Sequence, residues 1–592
     1  MVHSACSNDR RDDADPKASI NAKPDSSTTV DYLKASGQSL PQPLCRILFA
    51  VMAGILVWWL YCAVSYYGTI VSSDEKIDFS HPASVFALAL IIFAAACILS
   101  TTVRSKALNL LKWLLDHQRV VFIAMLIWQG IVFITLLVSY TSWDPAQTAV
   151  EAVYAAHDPG KFSWYLSSYP NNRFLSLIEY VPAWLNVHVF DDHFSDFAMM
   201  NIVAIPMQIL NIMVIDACIL WVRHLLAKYS RTAAGIGFLL MSLLLGCSCW
   251  IMIPYTDTLS LPFSILLIST TLVILEPHHT DRHASTAPAI TRTILLQFLL
   301  LGCAASLAYA MKPSTVIPAI VFAIIWFILN MGKRLLTVFL PTMLTASLGF
   351  ILVLVPVTSA EHAVFNINDT QAVPMTHFMM MGLKGHGGFD AQDTHITGSL
   401  PTKQAKEQVN LQQIRSRIHD YGPAGYLTFL LKKSWYTTAE GTLGYGWPAQ
   451  FVDSIRNEDR GANLLAVSHN NPIVRSGFGP LLTFQDFFLD HNPTNRLYKL
   501  IMQTFYIPLI AGMLLFTMLV YRRRKFTNTS VWLTLSLFGG FLFLMLFESG
   551  TSRYLIQFLP LIVMLSGMGW ATWKESELIS FLAHQPDTTG GQ

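Results

Sequence analysis

Asp144 stands in Ser142-Trp143-Asp144-Pro145, just beyond an apolar run at residues 120–140. An ionised carboxylate is costly within a bilayer and stable at its edge or in a wet cavity. There it can act as a general base, taking a proton from a hydroxyl. A helix cap or a plain surface charge would also put an aspartate at this point. Later in the same polar loop, residues 141–196, comes Tyr169-Pro170-Asn171-Asn172-Arg173. Two amides and a guanidinium suit binding to sugar hydroxyls or phosphate. Pro-Asn is equally ordinary turn chemistry.

Other polar groups occupy breaks between apolar runs. Asp257, in Pro254-Tyr255-Thr256-Asp257, can touch a substrate or cap the run that follows. Lys312, beside Pro313, can meet a lipid phosphate or reach for the interface. Arg553 and Tyr554 close the turn that begins at Phe547-Glu548; Arg553 can grip a phosphate, or pair with Glu548. His377, His386, Asp390, Asp393 and His395 gather in a long polar segment. Their types suit a divalent cation, but their spacing follows no metal motif, so the expectation is no cofactor. His377 and Asp393 are read as substrate contacts, with a solvated loop as the other reading of the same cluster.

These residues need apolar elements to place them. The chain has 592 residues, 53% hydrophobic and 13% charged, with mean hydropathy +0.45. A soluble domain carries about 25% charged residues. Runs at 45–67, 83–103, 119–140, 197–221, 233–253, 258–275, 294–311, 314–330, 335–357, 500–521, 530–547 and 554–573 are each about long enough to cross a bilayer as helix. The expected fold class is an all-α polytopic membrane protein of about twelve transmembrane helices. One set of connecting loops holds Arg104, Lys106, Lys112, Arg119, Arg223, Lys228, Arg231, Arg282, Arg292, Lys333, Arg334, Arg522, Arg523, Arg524 and Lys525. The alternate set holds only Lys76, Lys161, Arg173, Lys312 and Arg553. The positive-inside rule makes the first set cytoplasmic. The expectation is therefore a multi-pass protein of the cell membrane with both termini cytoplasmic and the site outside.

The organisation reads as a disordered tail at 1–43, two spans with a cytoplasmic loop at 44–118, a core at 119–357, an outer segment at 358–499, three spans at 500–573 and a tail at 574–592. In the outer segment, 403–420 and 424–436 are expected as helices separated by Gly422-Pro423, the second ending in Lys432 and Lys433. The rest of that segment reads as loops. The eight cysteines all precede residue 304, so no disulfide framework holds the outer segment. Cys247 and Cys249 lie in an apolar run and read as packing. There is no P-loop, GxSxG or HExxH motif and no repeat at 20–50 residues. The net charge of +2 is spread over short clusters and gives no reason to expect nucleic acid.

Taken in order, Trp143-Asp144-Pro145, Tyr169-Pro170-Asn171-Asn172, Lys312-Pro313, the run 374–383 with Gly387-Gly388-Phe389 and Asp393, and Ser552-Arg553-Tyr554 resemble the polytopic GT-C glycosyltransferases. Within them the chain looks like bacterial mannosyltransferase-like and dolichyl-phosphate-mannose-protein mannosyltransferase-like membrane proteins. The resemblance implies a GT-C-like core and a polyprenyl-phosphate-linked sugar as donor. It implies a glycan, lipid or protein acceptor in the cell envelope, and inverting transfer. It assigns Asp144 as catalytic base and Lys312 and Arg553 to the donor phosphate, and a second acidic motif maps loosely to Asp257. The residues themselves add Tyr554 beside the phosphate and Tyr169, Asn171, Asn172, Arg173 and Asp257 as substrate contacts. One departure is that Asp144 follows the third expected span, whereas the family's catalytic loop usually follows the first. The alternative is a transporter or flippase for a lipid-linked saccharide, against which no repeat between halves is found. A third reading is an envelope scaffold that binds polymer.

Overall fold

An unbroken helix satisfies its own backbone N–H and C=O groups without water, so long apolar runs fold as helices. The computed structural model describes residues 40–71, 82–136, 144–190, 199–275, 291–332, 334–444, 480, 484, 487–488 and 493–583. The expected tail lies outside the described residues as far as residue 39, as do Lys76, Trp143, Arg282, Lys333 and most of 445–492. Among the described residues every element is helical, apart from one isolated bridge between Phe162 and Asn366.

Nine described helices are long and apolar enough to span a membrane: Gln42–Ile70, Gln118–Leu136, Val203–Ala227, Thr256–Leu275, Arg292–Met311, Leu335–Val364, Thr494–Arg523, Asn528–Leu546 and Ser552–Trp573. The other three expected spans depart from a simple crossing. The run at 83–103 stops at Leu99, and the chain bends by 110° into Thr101–Asp116. Ser100 causes the break: its hydroxyl accepts from the Val103 N–H and starts a new helix. That helix has no buried residue and carries Arg104, Lys106 and Lys112, as an amphipathic helix in the membrane interface would. The runs at 233–253 and 314–330 form only the shorter apolar helices Arg231–Gly246 and Pro313–Leu329.

The shortfall at 233–253 has a clear cause. The helix widens into a π turn at Ser242–Gly246, then gives way to a 3-10 turn at Cys249–Met252. The carbonyls freed there are taken by buried side chains. Gln129 donates to Gly246 O (3.1 Å) and Trp128 to Cys247 O (2.9 Å). Asn211 donates to Trp250 O (2.8 Å) and Ile251 O (2.9 Å). Irregular backbone survives at such depth only where protein groups replace water. This propped segment leads directly into Tyr255 and Asp257.

The helix Ser552–Trp573 lies at the centre of the bundle: 89% of its most apolar window is buried, against 11% for the peripheral Leu335–Val364. Arg292–Met311 packs on Leu340–Val364 through Gly302 and Gly349, where any Cβ would collide with the facing backbone. Small residues let helices approach in this way where lipid supplies no hydrophobic drive between them.

The outer segment sits on one end of the bundle. Its long element Lys403–Thr438 is two helices broken at Gly422, whose φ of 58° only glycine adopts freely. Lys433 is fully buried rather than interfacial. Its ammonium donates to Gly382 O (2.8 Å), Met545 O (3.0 Å) and Phe547 O. It thus caps the C-terminus of Asn528–Leu546 and ties the outer segment to the turn before Arg553. Burial pulls the Lys433 ammonium down to about 7. Ser549 N donates to Gly387 O (2.7 Å) and fastens the same turn.

Candidate active site

Five separate stretches of chain meet at this end of the bundle. The first is the N-terminus of the helix Asp144–His157, where the helix dipole favours a carboxylate. The second is the 3-10 turn Pro170–Asn172. The third is the extended Tyr255 and the short helix Thr256–Leu259 behind it. The fourth is the extended Lys312: the helix Arg292–Met311 ends there because Pro313 disfavours α geometry in the residue before it. Thr315 Oγ1 adds a bond to the carbonyls of Ala308 and Lys312, both at 2.7 Å. The fifth is the turn 547–554.

Tyr255 links the two halves of the cluster. Its hydroxyl lies 3.0 Å from Asp144 Oδ2 and 3.3 Å from Asn172 Oδ1, so its single proton serves the carboxylate best at the shorter distance. Burial, and after it the Asp144 charge, hold that hydroxyl well above its ordinary pKa, which keeps the proton on Tyr255. Asn172 Oδ1 also accepts from Asn171 Nδ2 (3.2 Å), and Asn172 Nδ2 donates to the Tyr165 hydroxyl (2.7 Å). Asp144 is half-buried, and its charge reaches both Tyr165 and Tyr169.

The other face of Tyr255 meets the cations. The Arg553 guanidinium lies 5.9 Å from the Tyr255 ring centroid and 5.0 Å from that of Tyr554. Asp257, fully buried, pairs with Lys312 through Oδ1, and its Oδ2 lies 3.7 Å from Arg553 Nε. Lys312 Nζ is also 5.2 Å from the Tyr554 ring centroid. Arg553 donates to the Tyr554 hydroxyl (3.2 Å), which donates to Glu548 Oε1 (3.0 Å). Glu548 therefore reaches Arg553 through a tyrosine. Two cations are held side by side by one shared carboxylate.

The structure brings together Asp144, Asn171, Asn172, Asp257, Lys312, Arg553 and Tyr554, with Tyr169 alongside, where it packs on Tyr165 at 5.2 Å. The remaining candidates are engaged elsewhere. Arg173 is buried; its Nε donates to Leu166 O (2.8 Å) and one terminal nitrogen pairs with Asp369 at 2.7 Å. Asp393 has no exposure and takes a two-toothed grip from Arg417, at 2.6 and 2.7 Å. His377, 1% exposed, bonds Thr397 through Nδ1 at 2.8 Å. Thr397 spends its own proton on Asn410 Oδ1 (2.9 Å), so His377 Nδ1 carries the hydrogen and Nε2 is left as an acceptor. Tyr255 is the member that the sequence does not single out. The available signal is its place two residues before Asp257 at a break between apolar runs. Among the described residues no group of three or more His, Cys, Asp or Glu side chains is arranged to hold a metal ion.

The spans define an integral membrane protein with many transmembrane helices. More narrowly, the sequence matches the family described as conserved hypothetical integral membrane protein over residues 40–574, and the chain belongs to that family. No curated protein matches the sequence. Among solved structures, the archaeal oligosaccharyltransferase AglB from Archaeoglobus fulgidus, in complex with an inhibitory peptide and a dolichol-phosphate, is similar at a TM-score of 0.35 with 12% identity. The alignment covers 80% of this chain and 52% of that one, about half its length. So loose a likeness leaves function to be read from the site itself.

Proposed function

We propose that the chain is a membrane glycosyltransferase of the GT-C type that moves a sugar from a polyprenyl-phosphate donor to an acceptor hydroxyl. The observation that carries this reading is the meeting, at the ends of apolar helices, of a carboxylate held by a tyrosine with a pair of cations that share one counter-charge. Lys312 and Arg553 converge on Asp257 from two separate span ends, and Glu548 reaches Arg553 through Tyr554. A phosphate is the anion that two such cations can bind in common. A donor carried on a lipid explains the location, because its chain stays in the bilayer while its sugar reaches Asp144.

In the proposed step Asp144 takes the proton of the acceptor hydroxyl. The acceptor oxygen forms a bond to the anomeric carbon from the face opposite the phosphate. The bond from that carbon to the phosphate oxygen breaks, and the polyprenyl phosphate leaves with the electron pair. Lys312 and Arg553, with the Tyr554 hydroxyl, stabilise the charge that grows on it. One displacement inverts the anomeric centre. Asn171 and Asn172 face the sugar, and Tyr255 orients the base. The charge bias of the loops supports an extracytoplasmic site, with the acceptor in the cell envelope.

The interrupted helices at Cys249–Met252 and Lys312 would also suit a transporter of lipid-linked saccharides. Purified protein in lipid nanodiscs, given a radiolabelled polyprenyl-phosphate sugar and a mixture of envelope glycans, decides between them. Labelled sugar on an acceptor, lost in Asp144→Asn, supports the enzyme. Movement of the intact lipid-linked sugar across liposomes, unchanged in Asp144→Asn and with no transfer, rejects it.

A further inference from the structure

A cavity of about 260 Å³ opens between the loop that follows the Asp144 helix and the first part of the outer segment. Its walls include Trp164 and Tyr169 on one side and Gln371, His377, Thr394 and Lys406 on the other. The two sides are fastened to each other. Ser163 N donates to Asn366 O (2.9 Å), Val373 N to Ser168 O (2.9 Å) and Asn368 N to Ser167 Oγ (2.9 Å). The Arg173–Asp369 pair closes the same seam. The cavity is therefore a fixed feature of the packing, and Tyr169 in its wall packs on Tyr165, whose hydroxyl accepts from Asn172 in the Asp144 cluster.

Three properties of this cavity select its ligand. Trp164 is 59% exposed, an unusual state for an indole that could have been packed away, and it meets Tyr169 edge to face at 6.5 Å. An open aromatic face of this kind suits a flat, weakly polar surface such as the C–H face of a sugar ring. Two buried side-chain atoms in the wall are acceptors. The buried Gln371 Oε1 has no hydrogen-bond partner, and His377 Nε2 is an acceptor by the tautomer argued above. Buried acceptors without partners call for a ligand that donates. The Lys406 ammonium is turned onto Gln371 O at 2.6 Å, so the one cation in the wall is already engaged with the protein. Finally, the volume falls just below the roughly 300–1,000 Å³ of sites that enclose drug-sized molecules, which suits a single ring.

We propose that this cavity is the acceptor subsite and that it takes one ring of a neutral saccharide, stacked on Trp164 and donating hydroxyls to Gln371 and His377. This rests on the reading of Asp144 as the base. The acceptor is then a glycan, not a protein side chain. A hydroxyl of the bound chain beyond Tyr169 loses its proton to Asp144 as its oxygen bonds the donor's anomeric carbon and the carbon–phosphate oxygen bond breaks.

The test uses the full-length protein in nanodiscs and saturation-transfer NMR with maltose, cellobiose, a mannobiose and, separately, a serine-containing peptide. At least one disaccharide should show transfer to its ring protons in wild type and equally in Asp144→Asn. Trp164→Ala should weaken that binding about tenfold, as expected for loss of one stacked aromatic contact. Trp164→Phe should restore most of it. Trp164 is exposed, so its truncation leaves the fold intact. No disaccharide binding to wild type, binding that ignores Trp164→Ala, or Trp164-dependent binding of the peptide alone overturns the proposal. The two readings fail separately. If Asp144→Asn abolishes sugar transfer but saccharide binding ignores Trp164, the cavity assignment falls and the base stands. If Asp144→Asn keeps full transfer while Trp164-dependent binding is seen, the base falls and the saccharide site stands.

Discussion

Two regions of this molecule bury charge, and they treat it in opposite ways. At the span ends, Lys312 and Arg553 share the single carboxylate of Asp257, and Asp144 is held only by neutral groups. In the outer segment, Arg417 clasps Asp393 with two short bonds, and Lys384 pairs with Asp390 at 2.9 Å. The first region spreads its charges over shared, indirect contacts; in the second, Asp390 and Asp393 each have a close cationic partner. A buried pair with good geometry about offsets its own desolvation and serves to fix conformation. Charges shared so loosely have no such return within the fold, and they mark a candidate place for a charged ligand.

Removing charge should therefore damage function in one region and folding in the other. The largest effect is expected for Asp144→Asn, which keeps shape but cannot take a proton. Sugar transfer should fall by about 10³-fold, in the middle of the range for a general base. The thermal unfolding midpoint should hardly move. A variant with full turnover would show that the carboxylate is only a helix cap. Next comes Arg417→Met, which removes both short bonds from the fully buried Asp393 and leaves it Lys384 at 3.8 Å. The outer segment should lose about 3 kcal/mol, read as faster limited proteolysis and a lower unfolding midpoint. Adding Asp393→Leu should recover most of the loss, because it removes the uncompensated charge. If the double variant stays as unstable as the single one, the pair is more than a scaffold.

A smaller effect is expected for Lys312→Met. Arg553 remains beside Asp257, so the buried carboxylate keeps one cation. Transfer should show kcat/KM for the lipid donor reduced about 30-fold, near 2 kcal/mol, with the acceptor KM unchanged. Unchanged donor kinetics would place the phosphate elsewhere. A fall in acceptor affinity instead would mean that the two subsites are confused.

The sequence displays the span-end region far better than the outer one. Asp144, Asp257, Lys312 and Arg553 are polar residues at breaks in apolar runs, and bilayer physics alone makes each one conspicuous. Their companion Tyr255 does not stand out, because one tyrosine at a membrane boundary is ordinary. The break that delivers it is hidden as well. Cys249-Trp250-Ile251-Met252 reads as apolar span, and it takes Gln208 and Asn211, far away in sequence, to show that its carbonyls need side-chain donors. The same blindness inflates the count of simple crossings, since run length does not report where a backbone stops being helical. In the outer segment, Arg173 with Asp369 and Asp393 with Arg417 are long-range pairs, so each residue alone looks free for substrate.

The last prediction asks whether the outer segment is as balanced as its ion pairs suggest. Burial pulls His377 down to about 4, against an ordinary value near 6.5, with Asp393 pulling the other way and Lys406 adding to the fall. The folded segment therefore holds His377 neutral where the unfolded chain would already be protonated. Between about 6.5 and 4 the unfolded state binds the extra proton, and stability drops as pH falls through that window. Below it both states are protonated and the slope vanishes. The loss should be on the order of 1–2 kcal/mol, since relaxation around the ring absorbs part of the shift. Proteolysis of the outer segment measured from pH 7 to 4 should speed up accordingly. His377→Gln, which can still bond Thr397 but cannot gain a charge, should flatten the profile. An identical profile in that variant would assign the slope to the carboxylates and show that His377 takes up its proton at the same pH in the folded and the unfolded chain.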